Sequence, residues 1–177
     1  MQTDKEAIVR LEKLNAQEKE RILAFLEGLG YPGLLDIERL YALRVRGGKY
    51  YNVFEVDPPL SRIVGITPRT PYSLGFNAGT LDARSLGFRP SLPLAFRACR
   101  LCRAGVMDCH VLDERGAAIF TYGRDVWPEH VIAAGEGLRP VISRQGDCLG
   151  WGILISHDTN KYLHPLRDLG WYLRRGG

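Results

Sequence analysis

Two compact apolar runs near the end of the chain, Leu138–Ser143 and Cys148–Ser156, constrain its architecture most. Both are of strand length, and the link between them holds the turn-forming set Gln145-Gly146-Asp147. They read as strands of a small β-domain. The chain then closes on Asp168–Gly177, a segment of the form D-x-G-x-Y-L-R-R followed by two glycines, which reads as a final strand. Aromatic and guanidinium groups thus gather at the end of a β-rich region. That combination suits stacking on bases and pairing with phosphates.

At 177 residues the chain can form one domain or two small ones. Hydrophobic residues make up 45% and charged residues 25%, enough apolar material for a core. No apolar run approaches the roughly 18 residues of a membrane span. The opening MQTDKEAIVRLEKLN is charged and helix-like rather than leader-like. The expectation is a cytoplasmic protein without a membrane partner.

The net charge of +4 is a mild pointer to a polyanionic partner. It is spread evenly: residues 1–94 carry 13 basic and 11 acidic groups, residues 95–177 carry 11 and 9, so each half is +2. The kind of cation says more. Of the 24 basic residues, 19 are Arg, which binds phosphate bidentately and stacks on bases. GC-rich codon usage would produce the same bias.

Thr3-x-x-Glu6 and Asn15-x-x-Glu18 both have the form of a helix capping box, predicting helices over 4–14 and 16–28. Leu40–Val45 and Tyr50–Val56 flank Gly47-Gly48, which predicts a hairpin. Asp57-Pro58-Pro59 is suited to cap a short helix running to Val64. Residues 66–90 are rich in Gly, Pro and Thr, with short strand-like pieces. Ser91–Ala104 reads as a helix with Ala95, Ala98, Cys99 and Cys102 on one face, ended by Gly105. Val106–Leu112 and Ala117–Tyr122 read as a second hairpin across residues 113–116. A short helix is expected over Pro128–Ala134. The domain boundary falls near Gly105, giving domains 1–104 and 105–177.

Cys99-x-x-Cys102, Cys109 and Cys148 invite a zinc reading, but a four-ligand site normally brings two close pairs. Here a single close pair lies on a helix with an apolar face, so buried thiols acting as small hydrophobes are the better account. His110, His130, His157 and His164 share no metal-ligand spacing. Gly150-Trp151-Gly152 lacks the third glycine of a dinucleotide fingerprint. No phosphate loop, nucleophile elbow or paired carboxylates stand out. The expectation is a binding module without catalysis, cofactor, metal or small-molecule substrate. Its aromatic-plus-basic set is Arg124, Arg144, Lys161, Arg167, Arg174 and Arg175 with Trp151, Tyr162 and Trp171, of which Trp151 is expected in the core.

Five stretches then resemble one family in order: Lys49–Glu55; Ser73-Leu74-Gly75 with Gly79 and Phe88-Arg89; Phe120–Val126 as F-x-Y-G-x-x-V; Leu149–Gly152 as L-G-x-G; and Asp168–Arg174 as D-x-G-x-Y-L-R. Over residues 16–175 the chain resembles the Nip-seven family of large-ribosomal-subunit biogenesis factors. Two departures stand out: residues 1–15 extend upstream of the family's first helix, and the Gly152–Asp168 connection is shorter than in eukaryotic members. The resemblance implies an α+β protein, an N-terminal α/β domain followed by a C-terminal PUA β-barrel. It implies an archaeal-type, non-catalytic RNA-binding factor for pre-ribosomal or ribosomal RNA, with other assembly proteins as partners. RNA contacts are expected at Arg124, Lys161, Tyr162, Arg167, Arg174 and Arg175, and Arg174 aligns with the family motif without a gap. The rival reading is an accessory PUA subunit serving a tRNA- or rRNA-modifying enzyme in trans.

Overall fold

The computed structural model describes residues 9–45, 47–58, 74–157 and 160–175. The chain divides into two compact units, Met1–Leu26 with Leu35–Arg89, and Glu27–Leu34 with Pro90–Gly177.

In the first unit, strands lie side by side in chain order: β1 (Val9–Lys13), β2 (Leu40–Val45), β3 (Tyr50–Glu55), β4 (Phe76–Asp82) and β5 (Phe88–Pro90). The pairs from β1 to β4 are antiparallel. The β2–β3 hairpin stands where Gly47-Gly48 predicts it, with Gly47 at φ 76° and the Gly48 N–H donating to Val45 O at 2.9 Å. The expectation of a helix over 4–14 fails from Val9 onward. There Leu11 pairs opposite Leu43, and Glu12 reaches Arg44 at 3.2 Å. Pairing with β2 outweighs the local helical preference, since strand propensity is mostly packing against neighbours. The short helix expected after Asp57 lies, from residue 59, outside the described residues.

Helix α1 (Ala16–Gly28) begins on the predicted box: Asn15 N–H donates to Glu18 Oε2 at 2.9 Å, and Glu18 N–H returns to Asn15 Oδ1 at 3.0 Å. Glu18 is only 2% exposed. Its carboxylate takes a 2.6 Å bond from Arg44 and another from the Tyr51 hydroxyl. Burial pushes its pKa up, but these donors outweigh burial and leave it below the ordinary carboxylate value. Burial and the facing Glu18 carboxylate push the Tyr51 hydroxyl up to about 12. Arg44 also lies over the Tyr51 ring at 4.2 Å.

In the second unit, α2 (Leu92–Arg103) is capped by the Ser91 side chain, which accepts from Leu94 N–H at 3.1 Å. Its buried face is Leu94, Ala95, Ala98, Cys99 and Cys102, as the spacing predicts. The division between the units falls before α2, which packs on the second unit's sheet. That curled sheet comprises β6 (His110–Leu112), β7 (Val131–Ala133), β8 (Leu138–Ser143), β9 (Cys148–His157) and β10 (Asn160–Asp168), in the order β10-β9-β8-β6-β7. Trp151 is fully buried and donates from Nε1 to Ser91 O at 2.7 Å, the core position expected of it. Leu112, Phe120, Val126, Val141, Leu149 and Leu163 form the centre of this core.

Three expectations are corrected here. Residues 106–122 are not a hairpin: β6 is followed by α3 (Glu114–Thr121). Asp113 caps it, accepting from Gly116 N–H at 2.6 Å, and its other oxygen meets His130 Nδ1 at 3.0 Å. Strand β6 pairs parallel with β8, a pairing that needs a crossover rather than a tight turn. Pro128–Ala134 is not one helix but a single 3-10 turn, Pro128–His130, running into β7. The closing segment is not a strand: the strand is β10, and Gly170–Arg175 is a short helix, α4. Pro165 hides β10 in the sequence. It is tolerated because β10 is an edge strand with a bulge between Pro165 and Arg167.

Candidate nucleic-acid interface

The edge of β10 is joined to the loop after α3. Val126 and Leu163 exchange backbone hydrogen bonds of 2.9 and 2.8 Å, an isolated bridge between loop and strand. Both side chains are fully buried, so the bridge is anchored in the core. Their neighbours point outward in consequence. Trp127 comes to rest against Tyr162, with ring centroids 5.8 Å apart and planes at 54°. On the far side of the bridge, Asp125 Oδ1 meets His164 Nδ1 at 2.7 Å.

The loop and strand that carry this pair also hold exposed aromatic and basic groups. Tyr122 is 70% exposed and Trp127 49%. Arg124 and Lys161 are exposed, while Arg167 is half-buried beyond the bulge. Leu166, Leu169 and Trp171 add exposed apolar surface at the start of α4 and just before it. Such a strip offers π-faces for bases beside cations for phosphates.

Arg174 is placed differently. Its Nη2 lies 3.0 Å from both carboxylate oxygens of Asp168, which is 5% exposed, and its Nη1 donates to Thr121 O at the end of α3. Gly123, at φ 72°, lets the guanidinium pass: a Cβ there would stand 2.9 Å from Arg174 Nη2. Gly170 has the Thr121 carbonyl where a Cβ would go. The Asp168, Gly170 and Arg174 positions of the closing motif therefore tie α4 to the end of α3.

Of the residues singled out from sequence, the structure brings Arg124, Lys161 and Tyr162 to one edge, with Arg167 further along the same strand. Arg175 ends α4, and its side chain is outside the described part. Arg144 lies in a separate shallow groove with Asp113, Glu114, Arg115 and Gln145. Sequence reasoning missed Trp127 and Tyr122. Trp127 did carry a signal, a large aromatic directly before Pro128 in a polar stretch. Among the described residues, no group of three or more His, Cys, Asp and Glu is arranged to hold a metal ion. None of the described helices is long and apolar enough to cross a membrane.

A family model described as the UPF0113 PUA domain matches residues 108–177. Over its whole length the chain is 38% identical to a UPF0113 protein of Aeropyrum pernix, and it covers all of that relative. The chain belongs to the UPF0113 family. A second UPF0113 protein, from Archaeoglobus fulgidus, is 32% identical over 84% of this chain and 87% of its own length. The fold is shared with two solved archaeal structures. A hypothetical protein from Pyrococcus horikoshii superposes with a TM-score of 0.58 at 13% identity, covering 94% of this chain and 99% of that one. A conserved PUA domain protein from Thermoplasma acidophilum gives 0.52 at 14%, with the same coverage. The matched UPF0113 PUA region runs from just before β6 to the end of α4, and so contains the whole aromatic and basic edge. PUA domains typically bind RNA.

Proposed function

We propose that this UPF0113 protein is a non-catalytic, cytoplasmic RNA-binding factor in the assembly of the large ribosomal subunit. In this reading an N-terminal α/β domain recruits other assembly proteins and the C-terminal PUA domain holds ribosomal or pre-ribosomal RNA. The observation that carries the RNA part is the Trp127–Tyr162 pair, set beside Arg124 and Lys161 on the β10 edge of a PUA domain. An unpaired base stacks on the rings while the cations take the adjoining phosphates. Arg167 extends the basic track, and Arg174 serves it by fixing α4. The ribosomal assignment rests on the motif resemblance over residues 16–175.

Crosslinking the protein to RNA in cell extract and sequencing the bound fragments tests the reading. Large-subunit ribosomal RNA is the expected product. Predominant recovery of transfer RNA would favour the rival role, an accessory subunit of an RNA-modifying enzyme.

A further inference from the structure

The RNA-binding surface leaves four cysteines unused, and the second unit brings them together in pairs. Cys99 and Cys102 stand one turn apart on the buried face of α2. Cys148 opens β9, and Cys109 immediately precedes β6. The Cys99 thiol donates to Val141 O at 3.8 Å, next to Ile142, whose cross-strand partner is Cys148. The Cys102 thiol donates to Asp108 O at 4.0 Å, the residue before Cys109. Each helix thiol therefore lies beside the backbone carrying one particular partner. All four thiols are free.

We propose that this cluster is a site of oxidative modification, in which a small-molecule disulfide links Cys99 to Cys148 and Cys102 to Cys109. The neighbouring Cys99 and Cys102 thiols hold Cys148 and Cys109 below the usual thiol range, while Cys99 and Cys102 are pushed up by those same neighbours and by burial. Cys148 and Cys109 are also the partly exposed members, whereas Cys99 is sealed. The attacking and resolving roles follow. The Cys148 thiolate attacks one sulfur of the small disulfide, forming a mixed disulfide and releasing one small thiolate. Cys99 then loses its proton and attacks Cys148 Sγ, expelling the second small thiol. Two protein thiols are oxidised and one small disulfide is reduced to two thiols; Cys109 and Cys102 repeat the sequence. The bridges staple α2 to the start of β9 and to the segment before β6.

The test is a peptide map of the full-length protein after oxidised glutathione, against a dithiothreitol control. Arg97, Arg100 and Arg103 flank and separate Cys99 and Cys102, so trypsin releases all four cysteines on different peptides. Expected are Cys99–Cys148 and Cys102–Cys109 linked peptides, each two hydrogens lighter than its parts. The melting temperature of the oxidised protein should rise by roughly 10 °C. The Cys148→Ala variant should lose most of that rise while keeping the Cys102–Cys109 link. Should that variant fail to fold, the wild-type map decides alone. A Cys99–Cys102 link, other pairings, glutathione adducts that never resolve, thiols that stay reduced, or about one zinc per chain held by these thiols would each overturn the proposal.

Discussion

Glu18 carries three jobs at once: it closes the capping box of α1, pairs with Arg44 and accepts from Tyr51. Replacing it with Ala should destabilise the protein by about 2–4 kcal/mol, since it removes a cap and leaves Arg44 without its buried partner. Because its folded pKa lies below the ordinary 4.5, its stabilisation is complete above that pH. It is lost as pH falls through the lower folded value. Urea midpoints measured from neutral pH down to about pH 3 should therefore fall less in Glu18→Gln than in the wild type. His110 has the same sense of pH dependence in a higher window. It is fully buried, its Nε2 meets Gly137 O at 3.2 Å, and its Nδ1 has no hydrogen-bond partner among the described residues. Burial holds its pKa below the ordinary 6.5, so the unfolded chain takes up the proton first. Stability should thus decline as pH drops below 6.5, and His110→Leu should flatten that slope in urea titrations.

Between elements, the junction of α3 with α4 is the most demanding piece of geometry. Gly170→Ala would drive a methyl group into the Thr121 carbonyl and should cost roughly 1–3 kcal/mol in chemical denaturation. Arg174→Ala leaves the buried Asp168 carboxylate without its ion pair. Since Arg174 is itself 37% exposed, a loss of about 1–2 kcal/mol is expected rather than the full cost of a buried pair. Both variants should lower RNA affinity only as far as they displace α4. The β10–loop bridge separates stacking from charge. Trp127→Ala should weaken RNA binding by about 1–3 kcal/mol with an unchanged salt slope. Lys161→Ala should reduce that slope by about 0.7 for single-stranded RNA. Filter binding across a salt series distinguishes them, and identical slopes for the two variants would contradict this division of labour.

At the scale of the whole molecule, charge is distributed evenly, each half of the sequence being +2, while the exposed aromatic edge lies within the matched PUA region. If binding were diffuse electrostatics, Arg10→Ala with Arg21→Ala would weaken RNA binding as much as Arg124→Ala with Lys161→Ala, since each pair removes two cations. The edge predicts a clearly larger loss for the second pair, measurable in one titration at fixed salt.

Several parts of this architecture were legible in the sequence because their signals are local. Asn15 and Glu18 cap α1 within one turn, Gly47 turns the β2–β3 hairpin, Ser91 starts α2, and the runs at β8 and β9 are apolar enough to declare themselves. Tertiary structure decided the rest. Val9–Lys13 is a strand because β2 is there to pair with it, and residues 114–121 are helical because β6 must cross over to lie parallel to β8. Asn160–Asp168 is a strand despite Pro165, because it forms an edge whose bulge absorbs the proline. The candidate site divides the same way. Its cations and Tyr162 could be picked out by residue type, and Arg174 by its motif. Only the Val126–Leu163 bridge brings Trp127 to Tyr162, and only the Thr121 carbonyl and Asp168 turn Arg174 inward. Caps and turns are settled within a few residues of chain. Strand partners and ion-pair acceptors are set by residues tens of positions away, and no local pattern encodes that distance.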